Sequence, residues 1–140
     1  MPVKQRILFY CIGNACRSPM AEAICRHLGG EAVEVQSAGV VPLGHVSENV
    51  YPALAALGVP SDGLSSKPLS AVSIGADTLV VSLAENFPVK TVLGPEIRFE
   101  YEDWPVADPY GENALCYEGV ARHLLSRIED LLKRRGIIAQ

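Results

Sequence analysis

An α/β fold built on a parallel sheet covered on both faces is what this 140-residue sequence predicts, and three observations carry the prediction. Strand-like and helix-like stretches alternate along the chain, the pattern of βα units and hence of parallel strands joined by crossovers. The run Thr78-Leu79-Val80-Val81-Ser82-Leu83 is almost continuously apolar, as a strand buried on both faces must be. Glycines stand at segment ends, at Gly29-Gly30, Gly58 and Gly94, and no internal repeat or low-complexity tract interrupts the pattern.

Taken in order, the first strand is expected near 5–10, where Ile7-Leu8-Phe9-Tyr10 is apolar. A helix over 17–29 follows, with Pro19 in its first turn, where a missing N–H costs nothing, and the glycine pair at its end. Ala32-Val33-Glu34-Val35 opens a strand over 32–37, and a helix over 47–58 stops at Gly58. Strands at 77–83 and 96–101 and a long helix over 112–135 complete the chain. With 49% hydrophobic residues, 140 residues suffice for one substantial core and are too few for two ordinary domains, so a single domain over 1–140 is expected.

Charge narrows the function classes. A net charge of −4 and a pI near 5.3 disfavour a broad nucleic-acid-binding face, which needs clustered Lys and Arg. No apolar run approaches the roughly 20 residues that span a bilayer. The start, Met1-Pro2-Val3-Lys4-Gln5-Arg6, lacks the apolar core of a signal peptide, so a cytoplasmic protein without membrane or nucleic-acid partners is expected. Four cysteines are too few for a disulfide framework, and Cys11 and Cys16 lack the spacing of common zinc pairs, so no metal and no cofactor are expected.

The residues that point to chemistry are Cys11-Ile12-Gly13-Asn14-Ala15-Cys16-Arg17-Ser18-Pro19, directly after the first strand. A cysteine ending a strand, five loop residues and an arginine opening a helix gather a sulfur, a guanidinium and several backbone N–H groups around one small cavity, which suits a tetrahedral oxyanion. The thiolate is the reactive form of cysteine, and a helix N-terminus and a nearby cation favour it, so Cys11 is the candidate nucleophile. Arg17 offers a planar fork that grips two oxygens and cannot lose its charge. The loop amides of Ile12, Gly13, Asn14, Ala15 and Cys16 complete a binding set that runs to Ser18. Gly13 suits a positive φ or a close backbone approach, and Asn14 tolerates the left-handed region and can tie the loop down. Ser18 is placed to cap the helix and to donate its hydroxyl to the Cys11 sulfur.

Gly13-Asn14 and Arg17-Ser18-Pro19-Met20-Ala21-Glu22, after an apolar strand, resemble the low-molecular-weight protein tyrosine phosphatase family. Ser37-Ala38-Gly39 is similar to the family's second motif, Leu64-Ser65-Ser66-Lys67-Pro68-Leu69 resembles the third of bacterial members, and Asp108-Pro109-Tyr110 looks like its general-acid motif. Residues 71–100 match no motif. The resemblance implies a three-layer sandwich around a small doubly wound parallel sheet of about four strands, with the phosphate loop after the first strand. It also implies cysteine-dependent hydrolysis of phosphotyrosine-type monoesters through a phospho-cysteine. Cys11 would attack, Arg17 and the loop amides would hold the oxygens, and Asp108 would serve as acid and then base, with inorganic phosphate as product. The substrate would be a phosphorylated protein or a small phosphomonoester.

Several residues stay open between two roles. An Asp-Pro pair is commonly a turn former, and Glu102 or Asp103 could supply the carboxylate if Asp108 points away. Cys16 is either an ordinary small loop residue or, as the resemblance implies, a redox-protective disulfide partner of the nucleophile. Ser37 could hydrogen-bond Asn14 and fix the loop. Ile12, Leu43 and Tyr110 would line the substrate cleft, with Leu43 where many family members carry an aromatic residue. Cys25 and Cys116 read as buried small hydrophobes, Trp104 as packing, and His27, His45 and His123 as solvated or structural. Two alternatives share the fold: a phosphoarginine phosphatase, and an arsenate reductase. Residues 82–95 contain no cysteine, so a reductase here would draw on an external thiol. A non-catalytic phospho-binding module would need neither Cys11 nor Asp108.

Overall fold

The computed structural model describes residues 4–140, so Met1, Pro2 and Val3, the beginning of the segment read above for a leader, lie outside the described residues. Four parallel strands form one sheet, β1 (Gln5–Cys11), β2 (Val33–Gly39), β3 (Thr78–Ser82) and β4 (Tyr101–Asp103), in the order β2-β1-β3-β4. Four helices accompany them, α1 (Arg17–Gly29), α2 (Val50–Ala56), α3 (Val89–Leu93) and α4 (Ala114–Arg134). The chain runs from β1 outward to β2 and then back across to β3, so the strand order reverses at β1. The carboxyl ends of strands at such a reversal are where open α/β sheets bind ligands.

Side-chain alternation divides the core in two. Ile7, Phe9 and Cys11 of β1, Val33 and Val35 of β2, and Leu79 and Val81 of β3 face α1, α2 and α4. Leu8, Tyr10, Ala38 and Val80 face the other way, against α3 and the segments that carry Leu69, Ile97 and Phe99. Both faces of β1 and β3 are therefore dry, which accounts for their continuous apolar runs. Helix α4 buries Tyr117, Ala121, Leu124, Ile128 and Leu131, a spacing of three and four that makes one stripe along its length. Its opposite side carries the i,i+4 pairs Glu118–Arg122, Glu129–Lys133 and Asp130–Arg134. Among the described residues, no helix is long and apolar enough to cross a membrane.

Three elements differ from the sequence expectation. The fourth strand is Tyr101–Asp103 rather than 96–101. Ile97, Phe99 and Tyr101 alternate as a strand would, but the first two cap the second core from a loop, and pairing with β3 begins only at Tyr101. Helix α3 was not anticipated, because five residues give too short a periodic signal; its N-terminus is closed by the Asp103 carboxylate, which accepts from the Val89 N–H at 2.8 Å. Helix α2 starts three residues later than expected, at Val50, and Ser47 ahead of it is engaged with the loop after β1, its N–H donating to the Ala15 carbonyl at 2.9 Å.

The β1–β2 register sets Gly39 opposite Cys11. A Cβ at Gly39 would lie 2.8 Å from the Ile12 carbonyl oxygen and 2.9 Å from the Asn14 nitrogen, both backbone atoms that cannot swing aside. Gly39→Ala is therefore expected to destabilise the fold by about 2 kcal/mol, the range of core overpacking, read as a lowered midpoint in urea unfolding.

Candidate active site

Cys11 is the last residue of β1 and Arg17 the first of α1, so the strand and helix fix the two ends of the loop between them. The carbonyls of Cys11, Ile12, Gly13 and Ala15 are drawn outward by the N–H groups of Val40, Val41, Leu43 and Ser47, at 2.8–3.1 Å. In a trans peptide the N–H points opposite to the C=O, so the N–H groups of Ile12, Gly13, Asn14 and Cys16 turn to the other face of the loop. A cradle of amide donors at a helix N-terminus results, of the kind that binds anions.

Asn14 holds this shape. It is the one non-glycine residue with positive φ among the described residues, at 48°, whereas Gly13, the other candidate for that conformation, does not adopt it. What Gly13 supplies is room: a Cβ there would come within 3.0 Å of Leu43 Cγ. The fully buried Asn14 amide donates from Nδ2 to Ser18 Oγ at 2.8 Å and Ser37 Oγ at 3.0 Å, and its Oδ1 accepts from the Lys67 N–H at 2.9 Å. Ser37 in turn donates to the buried Glu22 carboxylate at 2.5 Å, which also takes Arg26 at 2.5 Å. Ser66 Oγ donates to the Gly13 carbonyl at 2.9 Å. Ser18 does not cap α1: Cys16 occupies that position, without a side-chain bond. The Ser18 hydroxyl instead lies 3.0 Å from Cys11 Sγ and 3.3 Å from the Ala38 carbonyl, so it can donate to a Cys11 thiolate by turning from that carbonyl.

Arg17 is 2% exposed, and its guanidinium divides into two parts. Nη1 donates to the carbonyls of Leu83 at 3.2 Å and Val106 at 2.8 Å, which anchors it to the chain after β3 and to the approach to Asp108. Nη2 lies 3.6 Å from Asp108 Oδ2, an ion-pair distance, and Nε has no hydrogen-bond partner among the described residues. Nε–H and the near Nη2–H share one edge of the planar group, the fork that grips two oxygens of an oxyanion.

Cys11, Ile12, Gly13, Ala15, Cys16, Arg17, Leu43, Asp108 and Tyr110 all line one cleft of about 240 Å³, joined by Val41. Asp108 is steadied by its own turn, Oδ1 accepting the Tyr110 N–H at 3.1 Å. The two other carboxylates considered for the acid role are engaged elsewhere, Asp103 on α3 and Glu102 with Trp104 Nε1 at 2.9 Å and Arg134. Val41, Gly39, Ser66 and the backbone carbonyls of Leu83 and Val106 had no role assigned from sequence. Gly39 and Ser66 sit inside the quoted motifs, and the other three carry no residue-type signal.

The remaining cysteines part ways. Cys16 Sγ lies 3.4 Å from Tyr117 Oη, which is 2.8 Å from Ser47 Oγ; burial pushes the Cys16 thiol above its ordinary value and the Tyr117 phenol up to about 12. Cys25 is buried on the inner side of α1, its thiol pushed up to about 12 by burial. Cys116 is exposed, contrary to the buried position expected of it, because it lies on the outer side of the first turn of α4 while Tyr117 beside it points inward. The Asn14 network makes its own test. Asn14→Ala is expected to cost about 3 kcal/mol in urea unfolding, since it orphans buried groups and forces alanine to positive φ. Asn14→Gly, without the φ penalty, should lose about 1 kcal/mol less.

Residues 6–136 match the family model for low molecular weight phosphotyrosine protein phosphatase. A glutaredoxin arsenate reductase from a Synechocystis species is 29% identical over 137 residues, covering 93% of this chain and 98% of its own length. Among solved structures, an arsenate reductase in its phosphate-binding state superposes with a TM-score of 0.76 at 28% identity, over 94% of this chain and 98% of that one. An arginine phosphatase from Geobacillus stearothermophilus superposes at 0.77 and 28% identity, over 94% and 93%. A match across nearly the whole chain, on the loop and sheet just described, means that this protein belongs to the low molecular weight phosphotyrosine protein phosphatase family.

Proposed function

We propose that the protein is a cysteine-dependent phosphatase that hydrolyses aryl phosphomonoesters of the phosphotyrosine type. The supporting observation is the pairing of a buried oxyanion cradle with an apolar slot above it. Ile12, Val41, Leu43 and Tyr110 wall that slot, and Asp108 stands at its edge. A small oxyanion such as arsenate would occupy the cradle alone, whereas a phosphorylated phenol also fills an apolar slot. The reductase reading has less support from the end of β3, where Ser82, Leu83 and Ala84 stand and no second thiol is present. A reductase built on this chain would depend on an external thiol, which the glutaredoxin arsenate reductase resemblance keeps as the alternative.

In the proposed reaction the Cys11 thiolate, supported by the Ser18 hydroxyl and the loop amides, attacks phosphorus and the bond to the phenolic oxygen breaks. The Nε and Nη2 edge of Arg17 and the amides hold the three equatorial oxygens as charge develops on them. Asp108 gives its proton to the departing oxygen, leaving phospho-Cys11 and a free phenol. Asp108, now a carboxylate, takes a proton from water as that water attacks phosphorus, and the Cys11 sulfur leaves as thiolate with release of inorganic phosphate. The Arg17–Asp108 approach of 3.6 Å keeps acid and cradle adjacent.

The deciding measurement compares phosphate release from p-nitrophenyl phosphate with thiol-dependent arsenate reduction for wild type and Cys11→Ser. Phosphate release that disappears in Cys11→Ser, while phosphate binding persists, is the expected result; arsenate turnover without phosphate release would overturn the proposal. Asp108→Asn is expected to slow phenyl phosphate, a poor leaving group, by about a hundredfold or more, and p-nitrophenyl phosphate much less. Equal losses would remove Asp108 from the acid role. Arg17→Lys should lose about 10²–10³ in kcat, because a point charge replaces a fork and leaves the Leu83 and Val106 carbonyls without their donor.

A further inference from the structure

Beyond Tyr110 the cleft does not end. A second cavity of about 470 Å³ adjoins it, running between Tyr110 and Tyr117, with Glu48, Glu112 and His45 on its walls. Tyr110 is a wall of both cavities, so a chain that places a phosphorylated side chain in the first has the second as its adjoining groove. Their linings differ in kind. The mouth of the first is aliphatic and aromatic, whereas the second presents two exposed carboxylates. Neither Glu48 nor Glu112 enters an ion pair among the described residues. The wall is also held in place: the Glu112 N–H donates to the Pro109 carbonyl at 2.8 Å, and Asn49 Nδ2 reaches the Glu112 carbonyl at 3.5 Å, which ties the turn after Asp108 to the start of α2.

Carboxylates beside an aromatic ring attract ammonium and guanidinium groups, through charge pairing and through the ring face. We propose that this cavity reads the residue flanking the phosphorylated one and selects a basic side chain there, so that the substrate class is a phosphopeptide with Lys or Arg next to its phosphotyrosine. The inference rests on the phosphatase reading and narrows its substrate. Glu48 and Glu112 determine specificity here and touch no reacting atom. His45 is the basic group on the same wall, and it opposes the selection when protonated.

The test measures kcat/KM for phosphotyrosine peptides that differ only at the positions flanking the phosphotyrosine, carrying Arg, Ala or Glu. Wild type is expected to favour Arg over Glu by roughly tenfold, as two exposed pairings allow, and the ratio should shrink with added salt. In the Glu48→Gln, Glu112→Gln double variant the Arg-to-Glu ratio should fall toward one, and in Glu48→Lys, Glu112→Lys it should invert. No preference in wild type, or a ratio that survives both double variants, overturns the inference. Wild type that releases no phosphate from p-nitrophenyl phosphate sinks the phosphatase reading instead, and this inference with it.

Discussion

The hydrogen bonds of the Asn14 carboxamide hold three separate parts of the chain at one point: the start of α1 through Ser18, β2 through Ser37, and the segment before Leu69 through the Lys67 amide. All are buried or half-buried, where a fully satisfied polar network rigidifies and a broken one is costly. The loop carbonyls are pulled outward by residues 40–47, and that segment is in place only because β2 is, with Gly39 against Cys11. The inward-facing amides are thus a result of how β2 leaves the sheet as much as of the loop sequence itself.

Arg17 shows how a buried charge is made useful. A guanidinium at 2% exposure would be expensive without partners, and the two carbonyls on Nη1 supply them. Those partners come from the ends of β3 and from the chain after β4, so the fork edge is aimed by the sheet rather than by the arginine's own rotamer preferences. Donors fixed in this way need no reorganisation when charge develops in front of them, which is where electrostatic catalysis gains most. Asp108 stands beside the same group, its carboxylate 3.6 Å from Nη2, at the edge of the cradle.

Much of this was legible because strong local signals coincide with global ones. The apolar runs of β1 and β3 mark strands buried on both faces, and the Cys11 to Arg17 spacing marks a strand-to-helix turn. The readings that failed were those decided by distant contacts. Ile97, Phe99 and Tyr101 alternate like a strand, yet whether they pair depends on how far β3 extends. Cys116 and Tyr117 are neighbours on one helix, and Tyr117 rather than Cys116 falls on the stripe that α4 turns inward. The left-handed backbone at Asn14 was legible from residue type; its three side-chain partners were not, one of them lying on a segment more than fifty residues away. Carbonyls such as those of Leu83 and Val106 leave no trace in residue identity at all.

That dependence on distant contacts has a kinetic meaning. The bonds that finish the site join residues far apart in the chain, 89 positions from Arg17 to Val106 and 101 from Cys16 to Tyr117. Contacts of such sequence separation must meet their loop-closure entropy before they return any stabilisation, which slows folding. A partly folded chain, even one with β1, α1 and β2 docked, would carry Cys11 with Arg17 unanchored and Cys16 unheld. The loop is therefore fully held only when the chain after β3 and β4 and the first turn of α4 are docked against it, so that an immature chain lacks the geometry of the cradle.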